Sequence, residues 1–122
     1  MNKEVKAKWI KALRSGEYKQ GNLRLRNTDN EFCCLGVLCD LYAKENENGK
    51  WRTPRDSITR ETYGVEFKAG DTVEDMSCTT LPESVVKWAD IREKHIIVKL
   101  AKLNDADGCS FKEIADYISR TM

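Results

Sequence analysis

The sequence is short of the residues that usually announce chemistry. It has one histidine and two prolines in 122 residues, and it contains no glycine-rich phosphate loop and no nucleophile elbow. No run approaches the roughly 20 apolar residues a membrane span requires. The opening Met1-Asn2-Lys3-Glu4-Val5-Lys6 leads into an amphipathic pattern rather than a signal-peptide core. These features predict a soluble, cytoplasmic protein with no membrane contact. Cysteines number five; an odd count, with Cys33 and Cys34 adjacent inside an apolar run, argues against a secreted disulfide framework and for buried reduced thiols.

What is present suits one folded unit. A chain of 14.0 kDa is near the commonest domain size, so a single domain over residues 1–122 is expected. Apolar residues make up 40% and charged residues 34%, which gives enough material for a core under a heavily charged surface. The net charge of +1 conceals an uneven distribution: residues 1–26 carry +6, residues 50–60 carry +3, residues 27–49 carry −4 and residues 61–83 carry −5. Patches of both signs suit self-association or a protein partner, and the positive ones suit an anionic ligand.

The pattern predicts an α+β fold: a central buried helix, flanking helices and a small antiparallel sheet. Val5, Trp9 and Leu13 recur at helical spacing from Lys3 to Ser15, and Gly16 ends that helix. Lys3, Lys6, Lys8, Lys11 and Arg14 fill its other positions, either as a solvated face or as contacts to an anionic partner. Leu23-Arg24-Leu25-Arg26 alternates with period two, so a short strand displaying both arginines on one face is expected before the turn Asn27-Thr28-Asp29-Asn30. Phe32 to Tyr42 is apolar nearly all round, with Gly36 small enough for close approach, as in a buried helix. Trp51, then Tyr63, Val65 and Phe67, then Thr72 and Val73 after Gly70-Asp71, suggest the sheet. Thr80-Leu81-Pro82-Glu83 and Ser110-Phe111-Lys112-Glu113 both have capping-box spacing. Trp88 is positioned to anchor the helix after the first, and Cys109 and Ile114 fall at hydrophobic-staple positions around the second.

Several chemical readings fail on ligand count or register. Structural zinc needs four convergent ligands, and Cys33, Cys34 and Cys39 have one histidine to join them. A cysteine nucleophile would have only His95 as its base, which leaves an enzyme as the weakest of three hypotheses. Asp105-Ala106-Asp107-Gly108 resembles a calcium-loop fragment, but aligning its glycine puts Leu103 and Ile114 where carboxylate ligands belong. No metal or cofactor is expected. What remains is a basic and aromatic set, Arg24, Arg26, Trp51, Arg52, Arg55 and Arg60, with Arg14 and Lys19 nearby in sequence. Arginine forks hold phosphate and an aromatic face can stack a base, so this composition suits a nucleotide-like anionic small molecule or a single-stranded nucleic acid. A host-protein inhibitor or adaptor working through its charge patches is the alternative.

Trp9-Ile10-Lys11-Ala12-Leu13-Arg14-Ser15-Gly16 with Tyr18 and Gln20, then Phe32-Cys33-Cys34-Leu35-Gly36-Val37-Leu38-Cys39, then Leu103-Asn104-Asp105 with Ser110-Phe111-Lys112-Glu113-Ile114-Ala115, together resemble a family of small proteins encoded by tailed bacteriophages and prophages. The likeness covers both ends of the chain and leaves residues 44–80 unmatched. Within such proteins the nearest functional group is the Thoeris anti-defence type, oligomeric sponges that sequester a cyclic ADP-ribose-like signal without degrading it. That resemblance implies a non-enzymatic homo-oligomer with ligand pockets in which arginines meet phosphates.

Overall fold

In the computed structural model, which describes residues 1–53, 65–70 and 75–122, the fold is organised by the helix α2, Cys34–Glu45. Every residue from Cys34 to Cys39 is buried, as is Tyr42, so neighbours must cover this helix on all sides. The helix α1, Lys3–Arg14, applies its Val5, Trp9, Leu13 stripe, and the Trp9 indole N–H donates to the Cys34 carbonyl at 2.9 Å. That bond satisfies a polar group that burial of a tryptophan would otherwise strand.

Of three further helices, α3 (Glu83–Ala89) and α4 (Lys94–Asp105) pack on α2, and α5 (Phe111–Thr121) packs on α1 and α4. The last buries Phe111, Ile114, Ala115 and Ile118 and packs along α1. Its start is the capping box expected from the sequence: Ser110 Oγ accepts from the Glu113 N–H, and the Glu113 carboxylate accepts from the Ser110 N–H. Among the described residues the strands are short. β1 (Lys19–Gln20) pairs in parallel with β2 (Glu31–Phe32), and β3 (Lys50–Arg52), β4 (Glu66–Lys68) and β5 (Met76–Ser77) form an antiparallel sheet in that order. The protein is thus a small α+β domain with a central buried helix. Tyr63, Thr72 and Val73, expected in the sheet, lie outside the described residues.

Two local expectations are corrected. Residues 23–26 are not a strand. Leu23 takes a left-handed backbone with φ of 69°, which breaks the alternation, and the chain dives so that Leu25 is fully buried. The Leu25 N–H donates to the Cys78 carbonyl at 2.8 Å, its carbonyl accepts from the Cys33 N–H at 3.2 Å, and its backbone lies directly on Gly36. Only Arg26 retains a bridge, to Phe32. The Thr80 capping box also does not form. Pro82 is the N-cap residue of α3 and has no side chain to offer; Asp75 serves instead, its Oδ1 accepting from the Ser84 N–H at 3.1 Å and the Ser84 hydroxyl at 2.9 Å. Thr80 is hydrogen-bonded to Ser77.

Asn104, 1% exposed, ties the two ends of the chain together. Its Oδ1 accepts from the Gln20 side-chain amide at 3.0 Å and the Cys34 N–H at 3.2 Å, while its Nδ2 donates to the Gly21 carbonyl at 2.9 Å and to Asp105 at 2.8 Å. Gln20 in turn donates to the Cys109 carbonyl and accepts from the Phe111 N–H. A buried amide with its donors and acceptors filled specifies register as well as stability.

Candidate functional site

The site is built on Arg26 and Trp51. The turn between Arg26 and Phe32 is rigidified locally: Asn27 Oδ1 accepts from the Asp29 and Glu31 N–H groups at 2.9 and 3.0 Å, an Asx arrangement favoured in turns. Asn30 sits at φ 61°, a conformation asparagine tolerates. Its side-chain carbonyl receives Arg26 Nε at 3.2 Å and Nη2 at 2.7 Å. The guanidinium therefore lies across two rings, with Cζ 5.1 Å from the Phe32 centroid and 5.5 Å from that of Trp51. Cation–π attraction adds to the hydrogen bonds in fixing the arginine plane.

Trp51 is held as firmly. Its indole N–H donates to Asp40 Oδ1 at 3.0 Å, and its ring meets Phe32 edge-on at 5.8 Å and Phe67 at 4.8 Å between centroids. The edge-to-face series continues from Phe67 to Tyr42 at 6.1 Å and from Tyr42 to Trp88 at 5.4 Å, and at its other end from Phe32 to Tyr18 at 5.1 Å. Asp40 also accepts from the Tyr18 hydroxyl at 2.5 Å, and Lys44 Nζ lies 3.6 Å from the same carboxylate oxygen. Burial and the hydrogen bond to Asp40 raise the Tyr18 pKa, so this phenol keeps its proton at neutral pH.

Between the 26–30 turn and β3 opens a cleft of about 580 Å³ lined by Arg26, Thr28, Asn30, Trp51, Thr53 and Val65. Its described walls offer one cation, one indole, two hydroxyls, one amide and one aliphatic side chain, with no carboxylate, imidazole or thiol. The sequence-based set is thereby divided. Arg26 and Trp51 meet at the cleft. Arg24 is exposed and is not among the lining residues. Arg52, beside Trp51 in a strand whose side chains alternate, pairs with Glu66 across β3 and β4 at 3.6 Å. Arg55 and Arg60 lie outside the described residues. Thr28, Asn30, Thr53 and Val65 were missed; the first two sit in a segment legible only as turn chemistry. Asp40 was missed because nothing local marks it as the acceptor for residue 51.

The basic face of α1 is partly neutralised within the fold. Lys8 pairs with Glu45, Arg14 with Asp116 at 2.6 Å, and Lys6 Nζ donates to the Met122 carbonyl at 2.8 Å. The cysteines Cys33, Cys34 and Cys39 are buried and free. Burial pushes Cys33 up to about 11 and raises Cys34 and Cys39 well above an ordinary thiol, the reverse of what a nucleophile needs. His95 is an exposed residue 3.6 Å from Glu93. Among the described residues no group of histidine, cysteine and carboxylate side chains is arranged to hold a metal ion, and no helix is long and apolar enough to cross a membrane.

A helix-wrapped α+β domain with an arginine stacked over aromatic rings at the edge of an open cleft is the class this geometry defines. Over residues 1–122 the chain matches the profile of a domain of unknown function, DUF8296, and it belongs to that family. Comparison with curated proteins and with solved structures found no match.

Proposed function

We propose that the protein is a non-enzymatic binding protein that sequesters a phosphate-bearing nucleotide signal in the Arg26–Trp51 cleft. The observation that carries this reading is the guanidinium fixed by Asn30 over the faces of Phe32 and Trp51. An arginine whose plane is set before the ligand arrives loses little freedom on binding phosphate, and its fork retains donors beyond the two that Asn30 takes. The indole and Val65 supply apolar surface for a base, and Thr28, Thr53 and Asn30 supply hydrogen bonds for ribose or base edges.

The resemblance to tailed-phage proteins of the Thoeris anti-defence type names the ligand class to try first, a cyclic ADP-ribose-like molecule held by a homo-oligomer in the host cytoplasm. Native mass spectrometry with cyclic ADP-ribose isomers and linear nucleotides reads stoichiometry, oligomer size and the integrity of the ligand together. The expected result is a stoichiometric mass shift with the ligand recovered unchanged, weakened roughly tenfold or more in Arg26→Ala by loss of a charge-assisted contact. An unshifted protein across the panel, or an Arg26→Ala variant that binds like the parent, overturns the assignment.

A further inference from the structure

Arg26 is anchored differently from other arginines of the fold. Among the described residues Arg14 pairs with Asp116 at 2.6 Å, Arg52 with Glu66 at 3.6 Å and Arg92 with Asp90 at 3.3 Å. Arg26 instead places both Nε and Nη2 on one neutral oxygen, Asn30 Oδ1, at 3.2 and 2.7 Å. The carboxylates of the same turn do not answer it. Glu31 accepts from Asn27 Nδ2 at 2.8 Å and faces Lys19 at 3.5 Å, while Asp29 is exposed and forms no ion pair with Arg26. A guanidinium fixed by an amide keeps its whole charge, whereas one fixed by a carboxylate is already largely neutralised.

The same two bonds decide which edge of the guanidinium is open. Its five N–H donors lie in one plane, and the Phe32 and Trp51 rings help to fix that plane. Nε–H and the adjacent Nη2–H form the side-on fork, which Asn30 closes. Of the three remaining hydrogens, one on Nη1 points back toward the arginine's own chain. The other two lie parallel along the Nη1–Nη2 edge, and no described residue accepts from them. A parallel pair of this kind matches two oxygens of one phosphate group.

We propose that Asn30 is a positioning and specificity residue of the cleft: it closes the side-on fork of Arg26 without neutralising it, so that a bound phosphate group is taken end-on, by Nη1 and Nη2, through two of its oxygens. This rests on the cleft being a phosphate site, and it adds which atoms make the contact and why residue 30 is an amide. Backbone and charge select the same side chain. At φ 61° asparagine and aspartate are the side-chain-bearing residues that tolerate the conformation best. Of these two, only the amide leaves the cation uncompensated for a ligand.

Asn30→Asp is the deciding variant, since it keeps the shape, the backbone tolerance and the acceptor and changes only the charge. The isotope-labelled full chain is titrated with inorganic phosphate and, separately, with cyclic ADP-ribose isomers and linear nucleotides. Nitrogen NMR follows the Arg26 side chain, whose signals are assigned by their absence in Arg26→Lys. The expected result is a shift of the Nη signals on binding, with Nε left unmoved. Affinity falls about tenfold or more in Asn30→Asp, at a thermal midpoint within about 3 °C of the parent. Arg26→Lys, which keeps the charge but not the fork, loses a similar factor. Phosphate bound at Nη with no nucleotide bound upholds the end-on contact and removes the nucleotide reading; a nucleotide bound with the Nη signals unmoved does the reverse. Nε moving together with Nη, an Asn30→Asp or Arg26→Lys chain that binds like the parent, a midpoint that falls further in Asn30→Asp, or an Arg26 untouched by every probe each overturns the proposal.

Discussion

Gly36→Ala puts the central packing arrangement to the sharpest test. A Cβ at this position meets the Leu25 carbonyl oxygen at 1.7 Å and the Leu25 carbonyl carbon at 2.6 Å. These are backbone atoms, so no rotamer change relieves the clash; the 25 loop must retreat from α2 by roughly 1.7 Å to reach an ordinary contact. Retreat strips Leu25 of its burial, worth about 2 kcal/mol, and stretches its bonds to Cys78 and Cys33, each worth about 1 kcal/mol. Alanine returns about 1 kcal/mol of helix propensity. The expected net loss is about 2–4 kcal/mol, a large share of the stability of a domain this size. Urea titration followed by far-UV circular dichroism reads it as a midpoint lowered by about 1–2 M. Because Arg26 follows Leu25 directly, the same variant should loosen the guanidinium from Trp51 and weaken the nucleotide binding proposed above. An alanine variant with an unchanged or higher midpoint refutes the reasoning, since helix propensity alone predicts that sign. Gly16→Ala is the control: it has open space around its Cβ but φ of 77°, so only the backbone penalty of about 1 kcal/mol is expected.

Asn104→Leu should be costlier than its volume suggests, about 3 kcal/mol or more by urea titration, because the Cys34 N–H and the Gly21 carbonyl lose their side-chain partner and the Gln20 amide keeps only its bond to the Cys109 carbonyl; a near-neutral result would mean that water replaces the amide. Asp40→Ala should free Trp51 and Tyr18 and reduce ligand affinity roughly tenfold, whereas Asp40→Asn, which keeps an acceptor for the indole N–H, should retain most of it; calorimetric titration of both variants separates positioning from charge. Native thiol alkylation at neutral pH should be slow at Cys33, Cys34 and Cys39, and fast labelling at any of them contradicts their burial. Their raised folded pKa also fixes a sign: below about pH 9 these thiols are protonated in both states, and as pH rises from about 9 toward 11 the unfolded chain loses protons first. Stability should then fall by about 1.4 kcal/mol per pH unit for each such thiol, visible as an alkaline drop in the urea midpoint.

Features that depend on neighbours within a turn or two were legible in the sequence. The stripes of α1 and α5, the glycine stop at Gly16, the Ser110–Glu113 capping box and the all-round apolar character of α2 follow from spacing and composition, because each rests on contacts that helical periodicity itself creates. Even the aromatic and basic character of the site was visible, in Trp51 and Arg26. Its partition was not: period two could not say that Leu23 would turn left-handed, bury Leu25 and send Arg24 and Arg26 to different surroundings. Nor could local spacing show that Asp75 would cap α3 in place of Thr80, that Asn104 would gather Gln20, Gly21 and Cys34, or that Asp40 would hold Trp51. In each case the competing partners have similar local chemistry, and the winner is the group that the packing of distant segments around α2 leaves buried and in need of a hydrogen bond.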